Sequence, residues 1–221
     1  MTQAYFITGT DTGVGKTFAT CALLHRLAGQ GLRVAAMKPV AAGLDAAGLN
    51  EDVELLRAAA NVHCARDLMN PYALRSPVAP HLAAAEEGLE IRFAPILAAF
   101  ETLANQVDIL LVEGIGGFRV PLGPDGDSAD LALAMDLPLI LVVGLRLGCI
   151  NHALLTVEAI QARGLRLAGW VGNCVDPVMA RREENLAALA GYIDAPLLGV
   201  LPWMDRPDPA VAADSFTWLP R

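Results

Sequence analysis

The stretch that most limits what this chain can become is residues 4–17, AYFITGTDTGVGKT. An apolar run, Tyr5, Phe6 and Ile7, stops at Gly9 and gives way to a polar loop that ends in Gly15-Lys16-Thr17, after which a helical pattern begins. Strand, glycine-bearing loop and helix in that order form a cradle for phosphate. Glycine lets backbone N–H groups converge on an anion, and the helix N-terminus adds its dipole. Gly13 and Gly15 serve the convergence, Lys16 reaches a terminal phosphate, and the Thr17 hydroxyl is a candidate Mg²⁺ ligand. The spacing departs from the strict pattern G-x-x-x-x-G-K-[ST]: Thr10 stands where glycine is required, and Gly9 comes one residue early.

Downstream, strands and helices alternate. Strands are expected near 3–8, 33–37, 108–113, 138–143, 167–171 and 196–201. Helices are expected at 16–28, 53–60 with Asn50 as N-cap, 82–87, 93–106, 128–135, 149–163 and 178–191. Residues 40–50, 61–81 and 118–127 read as loops, the second marked by Pro71, Pro77 and Pro80, and 204–221 as a tail rich in Pro and Asp. At least six strands in such alternation predict one doubly wound α/β domain over 1–221, a mostly parallel sheet with helices on both faces. A hydrophobic fraction of 54% suits strands buried on both sides, and hints at surface buried between subunits. A net charge of −8 argues against nucleic-acid or acidic-membrane partners. The four scattered cysteines, Cys21, Cys64, Cys149 and Cys174, form no C-x-x-C pair and read as free thiols of a cytoplasmic protein. No secretory leader or membrane span is expected.

In open parallel sheets ligands bind beyond the carboxyl ends of the strands. Those ends carry, in turn, the phosphate loop, Lys38 held by Pro39, Glu113, Asn173, and Pro202-Trp203-Met204. Glu113 is followed by Gly114 and Gly116, which leave room for phosphates. With Thr17 and Asp52 it makes a hard oxygen set for Mg²⁺. Lys38 beside Lys16 suits a reaction that crowds anions together. The Asn173 amide matches the donor–acceptor edge of adenine. Gly148, Cys149, Ile150 and Asn151 open a helix whose free N–H groups suit a carboxylate.

The ordered set GTDTGVGKT, MKPVAAG, NED, LLVEGIGG, LILVVGLRLGCINHALLT, GWVGN and LLGVLPW resembles the dethiobiotin synthetases over residues 3–204. That resemblance implies a P-loop NTPase-like fold and an ATP- and Mg²⁺-dependent homodimer. It implies conversion of 7,8-diaminononanoate and CO₂ to a cyclic urea through a carbamate and a carbamic–phosphoric anhydride. It implies that Lys16, Lys38 and Thr12 face the reacting oxygens. Gly13, Val14, Gly15, Lys16, Thr17, Phe18, Gly114, Gly116, Asn173, Pro202, Trp203, Met204 and Asp208 would line the nucleotide, with Asp52 and Glu113 reaching it through Mg²⁺. Ala42 and Gly148–Asn151 would lie on the substrate side. Some members carry glutamate where Gly13 stands, serine at Ala42, and a partner-subunit tyrosine near Asn185 that this chain lacks. Two rivals are a cobyrinate-type amidoligase, which carries a fused glutaminase domain, and a partition-type ATPase switch. The switch has a signature lysine where Asp11 stands here.

Overall fold

A computed structural model describes residues 2–217. β1 (Gln3–Gly9) leads through the phosphate loop into α1 (Lys16–Ala28), then β2 (Val34–Met37), β3 (Val40–Ala42), α2 (Glu51–Ala59), α3 (Arg66–Met69), β4 (Tyr72–Leu74), α4 (Pro80–Glu86) and α5 (Phe93–Ala104). β5 (Ile109–Glu113), β6 (Pro121–Gly123), β7 (Gly126–Asp127), α6 (Ser128–Ala134), β8 (Leu139–Gly144) and α7 (Cys149–Ala162) follow. β9 (Leu167–Asn173), α8 (Arg182–Tyr192), β10 (Leu197–Leu201) and α9 (Pro209–Ala212) complete the set, before a 3-10 turn at Ala213–Ser215.

Six strands form one parallel sheet in the order β10-β9-β8-β1-β5-β2. The chain runs outward from β1 to β2, returns to β5, then crosses to β8 and proceeds outward the other way. β1 is therefore the switch point of the topology, where such sheets open a crevice. Successive side chains of a strand point to opposite faces, and here both faces are buried. Phe6, Leu110 and Val112 pack into one core with α5 and α6, while Tyr5, Ile7, Ile109 and Leu111 pack into another with α1 and α2. A third core joins Leu141, Val143 and Trp170 to α7 and α8. Burial on both sides is the reason these strands read as continuous apolar runs.

Three expected loops contain structure. β3 pairs in parallel with β4, Val40 opposite Tyr72 and Ala42 opposite Leu74, so 40–50 and 61–81 build a two-stranded sheet together. Loop 118–127 holds the antiparallel β6–β7 pair. These strands are two or three residues long, too short for a periodic signal, and β3 meets its partner some 30 residues later. Asn50 caps α2, accepting from the Val53 N–H at 3.3 Å, but the helix begins at Glu51. α4 begins at Pro80, and α8 begins at Arg182. The tail is ordered through 217: α9 packs on α1, and Phe216 bridges to Gly199. The last part of the expected tail, 218–221, lies outside the described residues. All four cysteines are buried and free. Among the described residues no helix is long and apolar enough to cross a membrane.

Candidate active site

Sheet register gathers the strand-end residues. Met37 pairs with Val112, so the residues that follow, Lys38 and Glu113, stand level at the rim. Ile7 pairs with Glu113, which sets the phosphate loop just above them. Asn173 is level with Gly144 and Leu201 on the other side of β1.

The loop takes its shape from two left-handed glycines, Gly13 at φ 73° and Gly15 at φ 82°. Gly15 has a second reason to lack a side chain: a Cβ there would overlap the Asn173 amide nitrogen. That nitrogen donates to the Val14 carbonyl at 2.9 Å, so Asn173 is tied to the loop as well as facing the cleft. Asp11 adds further ties. Its carboxylate accepts from the Thr12 N–H at 2.8 Å and from Arg146 at 2.9 Å. Its carbonyl accepts from the Lys16 ammonium at 3.2 Å.

Below the loop lies a buried charge cluster. Lys38, 4% exposed, donates to Glu113 Oε1 at 2.6 Å and to Asp52 Oδ2 at 3.0 Å. Thr17 Oγ1 donates to the same Glu113 oxygen at 2.8 Å. Glu113 is fully buried, and its Oε2 has no hydrogen-bond partner among the described residues. Such an orphaned carboxylate oxygen is costly unless a cation or donor completes it. Burial pushes the Lys38 ammonium down, but the charges and hydrogen bonds of Glu113 and Asp52 hold it above its ordinary value. Burial pushes the Asp52 carboxyl up, and the Lys38 charge and hydrogen bonds more than reverse this. Lys16 is different: burial, then repulsion from Lys38, brings it down to about 8. Beneath them the Cys21 thiol is pushed up to about 12, first by burial and then by the Glu113 and Asp52 charges, so it stays a neutral core group.

Two clefts meet at the loop. One, of about 760 Å³, is lined by Thr12, Gly13, Gly15, Lys16, Thr17, Lys38, Ala42, Asn50, Asp52 and Gly116. Its apolar wall comes from Ala41, Pro77–Pro80, Ile115 and Val120. The other, of about 370 Å³, is lined by Phe18, Asn173, Cys174, Val175, Pro202, Trp203, Met204, Asp205 and Pro207. Gly13 and Gly15 belong to both. A molecule with an apolar or heteroaromatic end in the second cleft and an anionic end in the first must cross the phosphate loop.

Some expected residues fall elsewhere. Gly114 packs under β1, where a Cβ would come within 3.0 Å of Phe6, so it does not border the phosphate cleft. Asp208 caps α9, accepting from the Ala210 and Val211 N–H groups, and lines neither cleft. Gly148 is left-handed at φ 93° and α7 starts without a side-chain cap, as a carboxylate site requires. Gly148–Asn151, however, line neither cleft of this chain. The 77–80 wall belongs to the long proline-marked connection 61–81, a length that points to function or an interface, although none of its residues is among those the sequence assigns to the site.

The oxygen set suits a hard divalent ion. Among the described residues no group of three or more His, Cys, Asp and Glu is placed to hold a metal alone. Thr17, Asp52 and Glu113 offer two carboxylates and a hydroxyl, with an open cleft above. Mg²⁺ is commonly bound so, keeping waters and taking phosphate oxygens as its other ligands.

Fold and clefts together define a phosphate-loop nucleotide-binding α/β protein. The AAA domain family matches residues 3–210. The ATP-dependent dethiobiotin synthetase BioD of Aromatoleum aromaticum is 60% identical over 217 residues, 97% of this chain and 96% of the relative. That of Ralstonia nicotianae is 54% identical over 218 residues, 97% and 95% of the two chains. The chain belongs to the ATP-dependent dethiobiotin synthetase family. Among solved structures, the septum site-determining protein MinD of Pyrococcus horikoshii, complexed with Mg-ADP, superposes with TM-score 0.58 at 18% identity, covering 98% of this chain and 87% of that one. The cell division protein FtsY of Thermotoga maritima gives 0.53 at 14%, covering 97% and 68%. At such identities the likeness concerns the fold alone.

Proposed function

We propose that this protein, folded as one domain, converts 7,8-diaminononanoate, CO₂ and ATP to dethiobiotin in the cytoplasm. The observation that carries the reading is the meeting of two clefts at the phosphate loop, with Lys16, Lys38, Asp52 and Glu113 gathered on one side. The base and ribose of ATP would occupy the cleft of Phe18, Asn173 and Pro202–Met204. Backbone N–H groups of Gly13–Thr17 would hold the phosphates. Mg²⁺ on Thr17, Asp52 and Glu113 would draw off phosphate charge. Lys16 and Lys38 would stabilise the carbamate and the transferring phosphoryl oxygens, with Thr12 beside them. The second amine, on the carbon adjacent to the first, then attacks the carbamic–phosphoric anhydride. Phosphate leaves and the five-membered ring closes, which proximity favours. The apolar wall of Ala41, Ala42 and Pro77–Pro80 would carry the alkyl part of the substrate.

A homodimer is part of the proposal. Leu147, at 93% exposure just before α7, and Leu155, at 58% on α7 itself, leave more apolar surface in one place than isolated side chains account for. Gly148–Asn151 lie beside it, so the substrate carboxylate would be held close to the interface. The partition-type reading is disfavoured by Asp11 in place of the signature lysine, and the amidoligase by identity to synthetases along the whole chain.

Supplying ATP, Mg²⁺, bicarbonate and the diamino acid should give dethiobiotin by mass. ATP hydrolysis without any cyclic urea would sink the assignment. Asn173→Ala should raise KM for ATP more than KM for the diamine. An unchanged nucleotide KM refutes a role for Asn173 at the base.

A further inference from the structure

β2 is the last strand of the sheet, so its far side has no neighbouring strand. Its final pair is Met37 with Val112, and Lys38 is the first residue beyond it. Pro39 follows and has no N–H to offer. The Lys38 backbone is nonetheless buried and must find partners. The Lys38 N–H donates to the Met69 carbonyl at 2.7 Å. The Lys38 carbonyl accepts from the side-chain amide of Asn70 at 2.6 Å, and the same nitrogen donates to the Tyr72 carbonyl at 3.1 Å. The Tyr72 N–H returns to the Pro39 carbonyl at 3.1 Å, and β3–β4 pairing begins there. Asn70 is 7% exposed and is itself fixed as the C-cap of α3, its N–H donating to Arg66 O at 2.8 Å.

We propose that Asn70 is a positioning residue for Lys38: its amide replaces the missing neighbour strand, clamps the Lys38 carbonyl, and so sets where the ammonium stands. The inference rests on the reading of Lys38 as a group that touches the reacting oxygens. A lysine side chain has slack, but this one is buried along its length and cannot take up a backbone shift freely. Both amide hydrogens are used on carbonyls from two segments. No aliphatic residue substitutes for them, and an aspartate would set a carboxylate against two carbonyl oxygens. A displacement of about 1 Å at a group that orients reacting atoms costs on the order of 100-fold in rate.

The test uses the full-length enzyme with ¹⁵N-labelled lysine, the Lys38 ammonium resonance being assigned by its loss in Lys38→Arg. In Asn70→Ala and Asn70→Asp that resonance should move or vanish into solvent exchange. kcat should fall by about tenfold or more, while the number of ADP sites per chain stays whole and KM for ATP stays within about twofold. Asn70→Ser, which keeps one donor, should lie between, and serves if the other variants fail to fold. An unmoved resonance overturns the proposal, as does kcat within about twofold of the parent. So does a loss of activity that merely follows a loss of ADP sites, which would make Asn70 structural only. The resonance is read without turnover, so a parent enzyme that forms no dethiobiotin would overturn the synthetase reading and leave this one to be judged by the spectrum.

Discussion

Lys38→Ala should abolish measurable dethiobiotin formation, a loss of at least about 100- to 1000-fold, the scale of removing one preorganised charge from a site of developing negative charge. The ammonium stands 2.6 Å from Glu113 and 3.0 Å from Asp52, so it is held in place before any ligand arrives. Lys16→Ala should be as severe, because on the proposed reading Lys16 would hold the transferring phosphate. The two variants differ in what they leave behind. Without Lys38 the fully buried Glu113 loses its counter-ion, which is destabilising in proportion to how well the charge was paired. Mg²⁺ with nucleotide would neutralise the same carboxylates. The melting temperature of Lys38→Ala should therefore fall in the apo protein and recover on adding Mg²⁺ and ADP. Near-normal turnover in both lysine variants would remove the charge argument.

The parts of this molecule legible in its sequence are those whose cause is local. The phosphate loop declares itself because Gly15 must adopt φ 82° beside Asn173 and a lysine must follow it. β5 and β8 declare themselves because both of their faces are buried, and the polar residue at the end of β5 is conspicuous for the same reason. Long-range pairings were not legible. β3 is three residues long and meets β4 across an intervening pair of helices, so nothing near Val40 signals it. Nothing near Asn70 signals its role, since its partner Lys38 lies 32 positions away. Gly148–Asn151 illustrate a different gap. The sequence supports an anion site at the start of α7 but says nothing of whose cleft it faces. In this chain α7 meets the phosphate loop across a cleft lined by Thr10–Thr12, Leu155, Thr156 and Ala159, and Arg146, just before α7, pairs with Asp11, but Gly148–Asn151 do not line that cleft.

Glu113→Ala should be the most damaging single change to the fold and the site together. Glu113 is 0% exposed and accepts from both Lys38 and Thr17 through one oxygen. Removing it leaves a buried ammonium with only the half-exposed Asp52 as partner. Breaking a buried pair from one side costs about 3–5 kcal/mol. For a chain of this size that is a fall in melting temperature of roughly 6–20 °C. Unlike Lys38→Ala, this loss should not recover with Mg²⁺ and ADP, because the oxygen that would complete the proposed Mg²⁺ set is gone. Glu113→Gln separates packing from charge: it keeps the shape and an acceptor for Lys38. It should therefore melt closer to the parent while the Mg²⁺ concentration needed for half-maximal turnover rises. The orphaned Oε2 makes this a test of the metal assignment itself. If that oxygen awaits a divalent ion, the amide cannot replace it. A Glu113→Gln enzyme with the parent's Mg²⁺ dependence would mean that Glu113 serves only to hold Lys38.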